Sequence, residues 1–196
     1  MIAIALIRHG PTEWTDAKRL QGRTDIPLSA AGREFVETWQ LPEHLWSARW
    51  TSSPLVRAVE TARVLSGRMP EIDRRLIEMD WGEWEGRRLA DLRAQLGEEM
   101  AANEATGIDF RPPGGESPRE VQSRLRDWLT DVTKIGEPMV AVAHHGVVRA
   151  LFSMATGWDM VGKPPQKFRW GAIQYFSLGP TGHIAVERLN VMMTES

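Results

Sequence analysis

Two polar clusters, each placed directly after an apolar run, contain the residues best suited to chemistry. Arg8-His9-Gly10 follows the apolar run 1–7, and His144-His145-Gly146 follows the apolar run 139–143. An imidazole can serve as a base or a nucleophile, and an adjacent cation favours an anionic substrate. Gly10 lets the backbone turn at the end of the first cluster. The two clusters therefore predict a site for an anion, with one histidine from each end of the chain.

Two further residues fit such a site. Arg57 falls near the amino end of a predicted helix, where the macrodipole disfavours a cation. A solvated arginine is the plain interpretation, and an anion bound by the arginine and the helix terminus together is the alternative. Glu78 stands in segment 77–86, where carboxylates alternate with aromatic residues and glycines. Desolvation beside indoles raises the pKa of a carboxyl group, as a general acid near neutrality requires, whereas a solvent-exposed acidic loop is the plain alternative.

The apolar runs predict how these residues are positioned. Runs without polar alternation are typical of strands buried on both faces, as in a parallel sheet covered by helices. Parallel strands present their carboxyl ends at one edge of the sheet, where open α/β folds bind ligands. If the two runs are neighbouring strands, roughly 5 Å apart, their histidines face one small volume. The sequence thus predicts an α/β fold.

Capping and hydrophobic periodicity predict the remaining elements. Ser29 is an expected N-cap, Ser53-Pro54 an expected N-cap and first turn, and Ser117 with Glu120 an expected capping box. The predicted helices cover residues 29–41, 53–67, 89–105, 117–134 and 147–156. The predicted strands cover residues 1–7, 48–52, 139–143, 172–178 and 183–189, and the last two form a hairpin. Residues 71–76 are expected to form a short strand or an extended segment.

Composition limits the class of protein. The chain has 196 residues, 42% of them hydrophobic and 26% charged, which is typical of one globular domain, expected to span residues 1–196. A formal charge of −2 gives no reason to expect nucleic acid as a partner. The chain has no cysteine, so disulfides and thiolate metal sites are excluded. The first apolar run is too short to cross a bilayer, so we expect no membrane association and a cytoplasmic location.

The charges around the histidines favour a particular ligand. Arg8 and Arg57 would supply two fixed positive charges, and a phosphate monoester dianion matches two guanidinium donors. A metal site is the chemical alternative, since three histidines and a carboxylate offer ligands. The neighbouring arginines would repel a cation, so no metal is expected.

The chain resembles the histidine phosphatase superfamily, also called phosphoglycerate mutase-like, particularly its short bacterial branch of broad phosphatases and α-ribazole phosphatases. The resemblance is spread in family order along the chain. Its motifs are Arg8-His9-Gly10 with Thr12 and Trp14; Gln21-Gly22, Asp25, Pro27-Leu28-Ser29 and Gly32; Ser52-Ser53-Pro54 with Arg57, Ala58, Thr61 and Ala62; Glu78, Trp81-Gly82 and Trp84-Glu85-Gly86; 113–117; and His144, Gly146 and Arg149. It implies a three-layer helix/sheet/helix fold with a mostly parallel central sheet.

The resemblance also implies a mechanism without a metal or organic cofactor. His9 would attack phosphorus and carry the phosphoryl group, Glu78 would act as general acid and then base, and Arg8, Arg57 and His144 would hold the phosphoryl oxygens. The entrance and the remaining substrate contacts are assigned to Trp14, Thr15, Gln21, Gly22, Thr24 and His145. Thr15, His145 and Pro11 depart from the family pattern and weaken any transfer of substrate identity.

The expected function is hydrolysis of a small phosphorylated metabolite. Phosphoglycerate mutase is the first alternative, but glycolytic mutases carry a longer basic insertion between the acid and the second histidine. A non-catalytic phospholigand-binding module is the second, and such members usually lose the nucleophile or the acid. The physiological substrate and the oligomeric state are not specified by the sequence.

Overall fold

A single mixed sheet of six strands lies at the centre of the computed structural model, which describes residues 1–193. The strands are β1 (Ile2–Arg8), β2 (Arg49–Ser52), β3 (Glu71–Ile72), β4 (Met139–Ala143), β5 (Ala172–Leu178) and β6 (Ile184–Met192). Their order is β3-β2-β4-β1-β5-β6. The first four are parallel to one another, whereas β5 is antiparallel to both β1 and β6. The predicted mostly parallel sheet and carboxyl-terminal hairpin are confirmed.

Helices cover both faces of this sheet. In the described residues they are α1 (Glu13–Asp16), α2 (Ala30–Glu37), α3 (Val56–Ser66), α4 (Leu89–Leu96), α5 (Glu98–Glu104), α6 (Pro118–Ile135) and α7 (His145–Thr156). Ile4 and Leu6 of β1 pack in one core with α6 and α7. Ala5 and Ile7 point to the opposite face, into a second core with α2 and α3. Because successive strand residues alternate between faces, this arrangement confirms the three-layer fold.

Local capping fixes α6 as predicted. Ser117 and Glu120 form the expected capping box, with Pro118 in the first turn. The helix ends at Gly136, whose φ of 74° is readily adopted by glycine. The buried face of α6 includes Leu125 and the fully buried Trp128.

Three predictions about helix boundaries are wrong. The helix expected over 29–41 ends at Glu37, with Thr38 as its C-cap. Ser53 does not cap α3, whose N-cap is Leu55; instead the Asp25 carboxylate accepts the Val56 N–H at 2.8 Å. Ser53 Oγ lies 2.6 Å from a histidine nitrogen described below, so the hydroxyl serves the site rather than the helix. The expected helix 89–105 is divided into α4 and α5 at Gly97, whose φ of 53° and ψ of −118° break the helix.

The helices of residues 1–193 include none with the length and apolarity needed to cross a membrane.

Candidate active site

Three adjacent parallel strands deliver polar residues to one edge of the sheet. Ser53 follows β2, His144 follows β4 and His9 follows β1. The register pairs Arg8 with Ala143, so the two histidines emerge at the same level. Their ring centroids are 5.1 Å apart. The two histidines that follow the apolar runs therefore lie together, as expected. Ser53 also belongs to this group, which the sequence analysis missed because it assigned Ser53 as a helix cap.

The hydrogen bonding of His9 fixes its tautomer. Its Nδ1 lies 2.7 Å from the Gly10 carbonyl oxygen, which can only accept, so Nδ1 carries the proton. Nε2 is left with its lone pair. Burial lowers the pKa of His9 well below 6.5, and the charges of Arg8 and Arg57 lower it further. His9 is therefore a neutral imidazole with Nε2 available as a nucleophile.

His144, the neighbour of His9, contacts the Ser53 hydroxyl. Its Nε2 lies 2.6 Å from Ser53 Oγ, which also accepts the Leu55 N–H at 3.3 Å. The Ser53 hydroxyl can donate its proton to His144 Nε2, an arrangement that would place the His144 proton on Nδ1. That Nδ1 is buried and has no partner among residues 1–193. Burial, followed by the charges of His9 and Arg57, lowers the pKa of His144 well below 6.5.

The two arginines are held in different ways. The Arg8 guanidinium lies flat over the Trp170 ring, 3.6 Å from its centroid, and Trp170 also makes an edge contact with His9. Burial lowers the pKa of Arg8 to about 10, so the side chain is still charged at neutral pH. Trp170 was missed by sequence reasoning, because its place in the loop before β5 gave no periodic or motif signal.

Arg57 is fully buried, so its interpretation as a solvated arginine is wrong. Its terminal nitrogens donate to the carbonyl oxygens of Thr24 at 2.9 Å and Gly22 at 2.8 Å. Its Nε has no partner within residues 1–193. Burial lowers the pKa of Arg57, while Glu78 and Asp25 raise it.

Glu85 organises the loop that holds Arg57. Its carboxylate accepts backbone N–H groups of Arg23 at 2.6 Å and Thr24 at 2.8 Å, and also the Thr24 hydroxyl. Thr24 therefore faces Glu85 rather than the cavity described below. Glu85 belongs to the Trp84-Glu85-Gly86 motif, so the sequence carried a signal for it but not for its role.

Glu78 is buried, with 8% of its surface exposed, and its interpretation as part of a solvent-exposed loop is wrong. Its two carboxylate oxygens accept the N–H groups of Met79 at 2.8 Å and Gly146 at 3.2 Å. Burial raises its pKa, against the opposing effects of these hydrogen bonds and of the two arginines. A Cβ on Gly146 would lie 2.3 Å from Glu78 Oε1, so only glycine allows this approach. Such a carboxyl group can hold a proton closer to neutrality than an exposed one.

A cavity of about 670 Å³ opens onto these groups. Its wall includes Arg8, His9, Thr15, Gln21, Gly22, Arg57, Glu78 and His145. The Thr15 hydroxyl is held in a capping box with Thr12, and Gln21 Oε1 accepts the Thr12 hydroxyl at 3.0 Å. His144, Trp14 and Thr24 do not line the wall. The volume is in the range of small-molecule sites and exceeds what a phosphate alone would fill.

The described residues include no group of three or more histidine, aspartate or glutamate side chains placed to hold a metal ion. The fixed positive charges of the cavity instead favour an anion.

Comparison with known proteins identifies the family. Glucosyl-3-phosphoglycerate phosphatase of Mycolicibacterium vanbaalenii is 33% identical over 179 residues, which are 81% of this chain and 78% of the relative. A probable phosphoglycerate mutase of Proteus mirabilis is 35% identical over 167 residues, which are 80% of this chain and 76% of the relative. The solved complex of mycobacterial glucosyl-3-phosphoglycerate phosphatase with inorganic phosphate superposes with a TM-score of 0.82 at 25% identity, over 100% of both chains. A sequence profile matches residues 4–186, and by this match the chain belongs to the histidine phosphatase superfamily (branch 1).

Proposed function

We propose that this protein hydrolyses small phosphomonoesters through a phosphohistidine at His9. One observation carries the proposal: a neutral imidazole with an available Nε2 lines the same cavity as two guanidinium groups and a buried carboxyl group. A nucleophile, two anion-binding groups and a proton donor are the parts that phosphoryl transfer without a metal requires.

The first half-reaction would transfer the phosphoryl group to the enzyme. His9 Nε2 forms a bond to phosphorus as the bond from phosphorus to the ester oxygen breaks, and that oxygen takes the proton of Glu78. Arg8 and Arg57 stabilise the charge on the transferring oxygens, and His144, whose ring centroid lies 5.1 Å from that of His9, is expected to add its Nδ1–H as a further donor. The alcohol then leaves the cavity.

The second half-reaction would return the enzyme to its starting state. A water molecule attacks phospho-His9 and gives its proton to the Glu78 carboxylate, and the bond from phosphorus to Nε2 breaks. Inorganic phosphate and neutral His9 are the products. Because the arginines supply the positive charge, activity is expected to persist in EDTA.

A trapping experiment tests the nucleophile. The protein is mixed with p-nitrophenyl phosphate, quenched in base, and its phosphorylated residue located by mass spectrometry. We expect an acid-labile adduct on His9, with neither adduct nor turnover in His9→Ala. His183, which is exposed in the hairpin turn, provides the matched control, and His183→Ala should behave as the wild type. Normal turnover by His9→Ala would refute the proposal, and absence of any turnover by the wild type would favour the non-catalytic phospholigand-binding module.

Phosphoglycerate mutase is the second candidate, because a relative at 35% identity bears that name. Hydrolysis is favoured because the interval between Glu78 and His144 holds only α4, α5, short turns and α6, without the longer basic insertion expected of a glycolytic mutase. Incubation with 3-phosphoglycerate, with and without a bisphosphoglycerate primer, distinguishes the two. Interconversion of isomers faster than phosphate release would establish the mutase.

Two sequence-based expectations accompany this proposal. If residues 1–196 form a single domain, limited proteolysis should not cut between its helices and strands. If the protein is cytoplasmic, it should be recovered in the cytoplasmic fraction of broken cells.

A further inference from the structure

The Arg8 guanidinium makes no hydrogen bond or ion pair within residues 1–193. Its Nε is buried and lacks a partner in this part of the chain. Arg57, the other arginine of the proposed phosphoryl site, instead donates to the carbonyl oxygens of Gly22 and Thr24. An arginine side chain has several rotatable bonds, so a guanidinium without such partners has no fixed direction unless another contact limits it.

The Trp170 ring supplies that contact. The guanidinium carbon of Arg8 lies 3.6 Å from the ring centroid, well within the range of about 6 Å over which a cation is attracted to an aromatic face. The same ring meets the His9 imidazole edge-on, with 5.9 Å between the centroids. A ring face attracts the cation without using its N–H donors, so these donors of Arg8 stay available to an anion beside the nucleophile.

Trp170 stands near the end of an irregular segment, 157–171, which joins α7 to β5. Segments of this length without regular structure are uncommon in compact domains and often functional. Met160 and Lys163 of the same segment line the cavity together with Trp170. Such a segment can hold a ring in one place only if its backbone is itself fixed.

The end of β6 fixes the backbone on both sides of Trp170. On one side, the Arg169 N–H donates to Asn190 Oδ1 at 2.8 Å. On the other side, the Gly171 carbonyl oxygen accepts the Met193 N–H at 2.8 Å. The residues before and after Trp170 are therefore bound to the same part of the outer strand.

A bulge in β6 directs Asn190 toward this segment. Leu189 and Asn190 stand opposite the single residue Gln174 of β5, between two regular pairs of the ladder. Asn190 has a φ of 56°, a left-handed conformation that asparagine adopts more readily than most residues. Its N–H donates to Gln174 Oε1 at 2.9 Å, and its Nδ2 donates to the Lys167 carbonyl oxygen at 2.9 Å. The irregular pairing thus places an edge-strand side chain where it binds the segment that carries Trp170.

We propose that Trp170 is a positioning residue for Arg8, and that Asn190 holds Trp170 in place through segment 167–171. This assignment rests on the proposed function, in which Arg8 binds the phosphoryl oxygens. Because the ring holds the guanidinium without hydrogen bonds, Arg8 can bind the ester, the phosphoryl group on His9 and the released phosphate without first breaking a bond to the protein.

The first test compares an aromatic with an aliphatic replacement. Trp170→Phe keeps a ring face for the guanidinium, whereas Trp170→Leu keeps only an apolar contact. Binding of inorganic phosphate, measured by isothermal titration calorimetry, should weaken about 3- to 30-fold in Trp170→Leu, as the loss of one cation–π pair gives, and distinctly less in Trp170→Phe. The kcat/KM for p-nitrophenyl phosphate should fall in the same order. Trp46→Leu, which changes an exposed tryptophan outside the cavity, should bind phosphate as the wild type does. Equal losses in the two Trp170 variants, or no loss in either, would overturn the role of the ring.

A second background tests whether Trp170 acts through Arg8. Arg8→Lys keeps a positive charge but has no planar fork to lie on the ring. Trp170→Leu should therefore have little further effect on phosphate binding when it is combined with Arg8→Lys. Losses of equal size in both backgrounds would mean that Trp170 acts independently of Arg8, and would overturn the proposal.

Asn190→Gly tests the anchor, because glycine keeps the left-handed backbone and removes only the side chain. It should weaken phosphate binding less than Trp170→Leu does, with no further loss when the two changes are combined. Unchanged binding in Asn190→Gly, or fully additive losses, would refute the anchor. Calorimetry does not depend on turnover, so these binding effects in a protein that hydrolyses no p-nitrophenyl phosphate would refute the proposed function and keep the positioning role. Normal turnover with unchanged phosphate binding in Trp170→Leu would refute the positioning role alone.

Discussion

Replacing Glu78 by glutamine removes the proposed proton while keeping the size of the side chain. The carboxylate accepts two backbone N–H groups, from Met79 and Gly146. Glutamine offers one carbonyl oxygen, so one of these donors must face the amide NH₂ group. Losing that hydrogen bond costs about 1 to 3 kcal/mol of unfolding free energy. The variant should therefore remain folded, with a lowered urea midpoint.

The effect on catalysis should depend on the leaving group. An alkyl ester such as 3-phosphoglycerate needs a proton on its leaving oxygen, so Glu78→Gln should reduce its kcat/KM by about 100- to 10,000-fold. The p-nitrophenolate ion leaves without a proton, so the phosphorylation of His9 by p-nitrophenyl phosphate should be slowed far less. Hydrolysis of phospho-His9 still needs a base, so a stoichiometric burst of p-nitrophenol followed by slow turnover is expected in a stopped-flow assay.

The pH profile supplies a second readout. Glu78 must be protonated for the first half-reaction, and its pKa is raised by burial, so kcat/KM should fall as the pH rises through that pKa. Glu78→Gln should abolish this basic limb. Glu83→Gln, an exposed residue of the same loop, is the matched control and should keep the wild-type rates and profile. Equal losses for the two esters, without a burst, would refute the role of Glu78 as the acid.

Three further predictions follow from contacts around the site. Ser53→Ala should lower the unfolding free energy by about 1 to 3 kcal/mol, measured by urea denaturation, and reduce kcat, because His144 Nε2 loses its 2.6 Å partner; unchanged values would contradict a role for this contact in holding the His144 ring. Glu85→Gln should raise KM more than it lowers kcat, because one carboxylate oxygen that accepts from the loop holding Arg57 becomes an NH₂ group. A fall in kcat with an unchanged KM would contradict this prediction. Stability should decrease as the pH falls below 6.5, because the unfolded state then takes up protons that the folded state excludes, by about 1.4 kcal/mol per pH unit for each fully excluded proton. His145→Gln should reduce that slope, and a flat profile would contradict the lowered pKa values of His9, His144 and His145.

The sequence predicted most of the scaffold because its signals are local. A short apolar run without alternation is typical of a strand covered on both faces, so residue type and run length indicated β1 and β4. The capping box at Ser117 and the glycine at 136 likewise act within a few residues. The helix boundaries at Ser53 and Gly97 were misassigned because the local preference competes with another demand: the Ser53 hydroxyl interacts with His144, and Gly97 adopts a non-helical conformation.

The candidate active site, like the scaffold, has residues that the sequence predicted and contacts that it did not. Residue type and position after an apolar strand were enough to select Arg8, His9 and His144, and the motifs added Arg57 and Glu78. The Ser53 contact, the Trp170 ring over Arg8 and the Glu85 carboxylate on the loop 21–25 join residues far apart in the chain, and no local pattern encodes them. The sequence by itself predicted the buried strands β1 and β4, the polar residues that follow them and the kind of anion that those residues suit. Only the tertiary structure decided which groups are desolvated and which buried polar atoms have a hydrogen-bond partner, because burial and long-range contacts set pKa values and charge balance.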